Sequence, residues 1–218
     1  MGSAAERETG LWRSIAALFR YRTREGRIDT IAKVNDFVAT RAAFVAQKKL
    51  YGYLKTRMGT RFVSMFTDEV FVESINVAKM HVFAACLSDL TVFCVSRALE
   101  GSALSAEERA ELARECFRQG MAANAGMAPD PADIGRWRDA FDARAASVLW
   151  ENAAATGEVF EESPAALVKW APIAPELKKH DAEIVRNSIR FAWNEVRIAY
   201  RKRLDAEAVR RSLAETGA

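Results

Sequence analysis

The sequence predicts an all-α protein of six to seven helices, three of them long, packed as a single, mostly antiparallel bundle. Three observations carry this prediction. Ala, Leu, Arg and Glu are plentiful, while the 11 Gly and 5 Pro are few and clustered. Apolar residues recur at helical spacing over long stretches. Capping signals stand at the ends of those stretches. Half of the residues are hydrophobic and 28% are charged, an ordinary globular balance over 218 residues.

Residues 1–9 read as a disordered polar tail, and residues 10–218 as one helical domain. From Gly10 to Tyr21, Leu11, Trp12, Ile15, Leu18 and Phe19 repeat at helical spacing, with Arg13 and Arg20 to the side. Gly26 marks a break. Asp29 or Thr30 can cap a long helix running to Met58, with Gly59 beyond its end. Phe37, Phe44, Tyr51 and Met58 fall seven apart, and Ile31, Val38 and Val45 form a parallel row. Residues 60–77 are rich in β-branched side chains and fit either a hairpin or a helix. The long apolar run that follows favours helix from about Thr67 to Leu99. Ser105 and Glu108 form a capping box for the next helix, which fades near Gly126. Asp130 and Pro131 start another, expected to run to Gly157. Ser163-Pro164 opens a short helix, and Pro175 opens a last long one, expected to reach Leu213. That last helix carries the apolar row Val185, Ile189, Trp193, Val196, Tyr200 and Leu204.

Charge is sorted into blocks. Gly10 to Thr67 holds twelve basic and three acidic residues, a balance of +9 that the net charge of +3 conceals. Asp68 to Glu183 holds eleven against twenty, or −9, and Ile184 to Ala218 eight against four, or +4. Such sorting speaks to docking and partners rather than to fold. Either one surface meets something anionic, or the blocks neutralise each other.

Three cysteines without a C-x-x-C pair suit a reducing compartment and small core positions. Arg13 and Arg20 interrupt the apolar stretch that a signal peptide would need. Glu6 stands where a myristoylation signal wants Ser or Thr. The most apolar run, Val82 to Val95, is short of a bilayer span and contains Asp89, so it reads as a buried core helix. The expected location is cytoplasmic, with room for peripheral contact on the inner face of a membrane.

Nucleotide-binding, serine-hydrolase and zinc-protease motifs are absent from the sequence. A Ser88/His81/Asp89 relay is conceivable, but one straight helix converges these groups poorly. They read instead as core residues with hydrogen-bond partners. Asp89 among Leu87, Leu90, Val92 and Phe93 must either find a cation, Arg97 or an arginine from another helix, or shift its pKa. Glu69, Glu73, Glu176, His180 and Glu183 offer a metal-binding alternative, but no E-x-x-H motif supports it. No cofactor or metal is expected.

The basic row Arg186, Arg190, Arg197 and Arg201 has spacings of 4, 7 and 4 and projects from one side of the last helix. Together with Arg13, Arg20 and Arg22 it forms the candidate partner-binding set. The leading expectation is a non-enzymatic adaptor, assembly factor or chaperone-like protein docking on an acidic protein or an anionic membrane surface. Nucleic-acid binding through Lys48, Lys49, Lys55 and Arg57 or through the last helix is the alternative. Homo-oligomerisation is compatible with either reading.

Overall fold

A computed structural model describes residues 26–216, apart from Ala125, Met127, Pro129 and Thr156. The described residues form an all-α bundle of seven helices: α1 (Ile31–Met58), α2 (Glu69–Ala98), α3 (Ala106–Ala122), α4 (Pro131–Ser147), α5 (Glu162–Trp170), α6 (Pro175–Arg203) and α7 (Ala206–Thr216). Three are long, at 28, 30 and 29 residues for α1, α2 and α6. The amphipathic 10–21 segment and the 1–9 tail lie outside the described residues.

Local chemistry sets most boundaries. The Thr30 hydroxyl accepts from the Lys33 N–H at the start of α1, and Gly59 caps its end at φ 55°. The hairpin alternative for 60–77 is not realised. Two 3-10 turns, Gly59–Phe62 and Ser64–Thr67, lead into α2, whose first N–H groups are capped by the Asp68 carboxylate. The Ser105/Glu108 capping box starts α3, and Asp130 with Pro131 starts α4.

Two helices stop earlier than the sequence suggests. Helix α4 ends at Ser147, not Gly157, because Val148 turns extended and Trp150 folds inward. The Trp150 indole N–H donates to the Ala145 carbonyl at 3.2 Å. The last helix breaks at Leu204, which is extended and pairs with Ile28. The Ile28 N–H donates to Arg203 O at 2.9 Å, and the Asp205 N–H to Ile28 O at 2.8 Å. Asp205 then caps α7 through the Ala208 N–H. The entering chain thus breaks a helix that would otherwise continue.

Helix α2 is the axis of the core. Every side chain from Cys86 to Ser96 is buried, so neighbours surround it on all sides. By length and composition α2 could cross a bilayer, but its most apolar eighteen-residue stretch is 78% buried inside the bundle. Gly120 lets α3 approach closely, since a Cβ there would sit 2.7 Å from Leu87 Cδ1. Helices α1 and α6 run antiparallel. Phe37 packs on Tyr200 near one end, and Arg57 pairs with Asp181 near the other.

Candidate interaction surface

Helix α6 presents two apolar faces. The inner one carries Val185, Ile189, Trp193, Val196 and Tyr200, all buried. It is anchored by the Trp193 indole N–H donating to Ser163 Oγ at 2.8 Å and the Tyr200 hydroxyl donating to Cys94 O at 2.9 Å. The outer face carries Leu177, Ile184, Phe191 and Ile198, which are 46%, 72%, 70% and 66% exposed. These four fall seven residues apart, and on a helix that spacing makes one nearly straight row. At 1.5 Å per residue the row is about 32 Å long. Large apolar side chains aligned in one exposed row mark interaction sites more often than singly scattered ones do.

A groove of about 630 Å³ lies beside the row, between α6 and α1. Ile184, Val185, Ser188 and Asp181 line it from α6, and Lys48, Lys49, Gly52, Tyr53, Thr56 and Arg57 from α1. Asp181 closes one end by pairing with Arg57 and accepting from the Tyr53 hydroxyl at 3.0 Å. Burial and that carboxylate push the Tyr53 phenol up to about 12. Burial, then the neighbouring Lys48, pulls the Lys49 ammonium below its usual range. Gly52 lies in open space: a side chain added there would meet nothing within 4 Å.

The predicted arginine row divides into two kinds. Arg186 is exposed, with no ion pair or hydrogen bond among the described residues. Arg190 is exposed and reaches Glu161 only at 3.4 Å. Arg197 is half-buried, its guanidinium 5.4 Å from the Phe93 ring centroid and 5.9 Å from that of Phe160. Arg201 covers Phe93 from 5.7 Å and donates to Ala154 O at 3.4 Å. Lys179 and Lys202 add exposed cations. Arg13, Arg20 and Arg22 lie outside the described residues. Gly26 O accepts from Arg203 Nε at 2.9 Å at the basic end of α6.

The acidic block is largely matched within itself. Arg114 pairs with Glu107 and Glu111, Arg118 with Glu115, Arg136 with Asp133, and Arg97 with Glu100. All of these are close in sequence on or beside their own helix, so these acids are engaged away from α6.

Asp89 finds its cation in Arg144 of α4. Its carboxylate accepts from Arg144 Nη1 at 2.9 Å, from Ser163 N and Oγ at 2.9 and 2.6 Å, and from Glu162 N at 3.3 Å. Arg144 also donates to Ser88 Oγ and Val159 O, both at 2.7 Å. Burial raises the Asp89 carboxyl to about 6, against the opposing pull of Arg144. This network ties α2, α4, α5 and, through Trp193, α6. It is saturated with its own partners.

His81 is separate from it. The ring stacks on Trp170 at 3.4 Å and accepts from the Trp137 indole N–H at 3.2 Å. Ser88, His81 and Asp89 therefore form no relay. Cys86, Cys94 and Cys116 are buried, and burial raises their thiols far above the reactive range. Among the described residues no group of three or more His, Cys, Asp or Glu side chains is arranged to hold a metal, so Glu69, Glu73, Glu176, His180 and Glu183 are not gathered into one site.

The outer row is the feature that reading the sequence missed. Its signal, Leu177, Ile184, Phe191 and Ile198 at intervals of seven, was present beside the stronger inner row. No protein-family model, curated protein or solved structure matches the chain.

Proposed function

We propose that this chain is a non-enzymatic helical interaction protein that docks the outward side of α6 on an acidic protein partner or an anionic membrane surface. The observation that carries this reading is the uncompensated charge on the solvent-exposed surface of α6. Arg186, Lys179 and Lys202 stand in solvent without carboxylate partners among the described residues, while Glu107, Glu111 and Glu115 of α3 and Asp133 of α4 are engaged by arginines of their own helices. Lys202 lies one turn beyond Ile198 of the exposed row, and a cation next to large apolar side chains is the composition of an interfacial helix. The sequence before Gly26 contributes the further cations Arg13, Arg20 and Arg22.

Co-sedimentation of the full chain with vesicles tests the membrane form. Anionic phosphatidylserine vesicles should retain the protein at low salt and release it at high salt, since screening shortens the reach of exposed charges to a few ångströms. Retention by neutral vesicles to the same degree, or insensitivity to salt, contradicts the reading. Failure on vesicles with salt-sensitive retention on an acidic polypeptide such as polyglutamate selects the protein-partner form.

A further inference from the structure

We infer that the outer row of α6 is the seam of a homodimer, in which α6 of a second copy packs antiparallel across it. This goes beyond the docking reading, because it assigns the apolar row to self-association and leaves the cations for the anionic partner. The row repeats every seven residues with polar His180, Asn187 and Asn194 between, so one apolar side chain in every two turns meets the partner helix.

The row is self-complementary about its midpoint. Turning a second copy end over end between Asn187 and Ser188 sets Leu177 against Ile198 of the second copy, and Ile184 against Phe191 of the second copy. Charge selects that direction. The positions preceding the row residues are Glu176, Glu183, Arg190 and Arg197, acidic in the first half and basic in the second. Antiparallel packing places Glu183 beside Arg190 of the second copy. Parallel packing about a two-fold axis sets these positions against the opposite flank of the second copy, so Glu183 and Arg190 do not meet.

The groove completes the fit. Ile184 lines it, so Phe191 of the second copy, held opposite Ile184, lies over the space above Gly52. An exposed aromatic side chain entering a preformed pocket is the usual anchor of an interface. The amphipathic 10–21 segment is a poorer occupant. Its Arg13 and Arg20 have the same sign of charge as Arg190, Arg201 and Lys202 of α6.

Light scattering of the full chain across a concentration series provides the test. The wild type should reach twice its 24.2 kDa chain mass, and Phe191→Glu should remain at the single-chain mass with unchanged helicity. Phe191 is solvent-exposed, so its loss leaves the core intact. Glu183→Arg and Arg190→Glu should each weaken the dimer at least tenfold, and an equimolar mixture of the two variants should restore it as a heterodimer. A wild type at single-chain mass at every concentration overturns the proposal. A dimer indifferent to Phe191→Glu, or a mixture that fails to recover, overturns it equally. Arg186→Glu serves as the control and should leave the mass unchanged.

Discussion

Replacing Arg144 with leucine should remove about 3 kcal/mol of stability. Asp89 is fully buried, and Arg144 is its one cationic partner among the described residues. Breaking a buried pair by removing one member costs about 3–5 kcal/mol, because the remaining charge is stranded. The Arg144 side chain keeps 17% exposure, so water reaches the vacated space, which favours the lower end of that range. Ser88 Oγ and Val159 O also lose a donor. The cost is a large share of the roughly 5–15 kcal/mol that holds a domain folded. In urea unfolding followed by tryptophan fluorescence, the midpoint should fall by about 1–1.5 M for a slope near 2–3 kcal/mol/M. The pH dependence adds a second check. The Asp89 carboxyl sits near 6 in the fold, above its ordinary 3.8, so its contribution to stability is highest below about pH 4 and declines as pH rises toward 6. Without Arg144 the folded value climbs further, so the deficit of the variant should shrink on acidification. A loss below about 1 kcal/mol at pH 7, or a deficit that grows at low pH, refutes the assignment of Arg144 as the charge that holds Asp89.

The two helix-interior glycines should respond in opposite directions. Gly52→Ala enters open space and should stabilise the chain by about 0.5–1 kcal/mol, read as a raised melting temperature. Gly120→Leu drives a side chain into buried Leu87 and should cost about 1–3 kcal/mol in the same assay. Burial holds the His81 imidazole below its usual 6.5, so the associated stability is present above that value and lost as pH falls through the lower folded-state value. Proton NMR of the His81 ring should show that depressed midpoint. His81→Gln should flatten the acid-side loss of melting temperature, and a midpoint at or above 6.5 contradicts the buried, indole-bonded ring.

Much of the fold was legible because its signals are local. Thr30 and Gly59 bracket α1, Ser105 and Glu108 open α3, and Asp130 with Pro131 opens α4. What failed to show depends on distant chain. No turn residue foretells the break at Leu204; Ile28, far away in sequence, imposes it by taking the backbone groups of Arg203 and Asp205. The need of Asp89 for a cation was readable from its apolar neighbours, but Arg144 lies 55 residues away on another helix. The site was legible only in outline. Spacing found Arg186, Arg190, Arg197 and Arg201, yet it could not show that Arg197 and Arg201 turn back over Phe93. Periodicity likewise cannot rank two apolar rows on one helix, so Ile184 and Phe191 were overshadowed by Ile189 and Trp193.

The most direct measurement is the affinity of the full chain for phosphatidylserine vesicles as a function of salt, with wild type and an Arg186→Glu/Lys202→Glu variant compared. Both substituted residues are exposed and lie away from the core, so the fold should persist. Loss of most of the salt-sensitive binding in the variant is the predicted result. Equal affinity and equal salt dependence for the two proteins would contradict a docking role for the cations of α6.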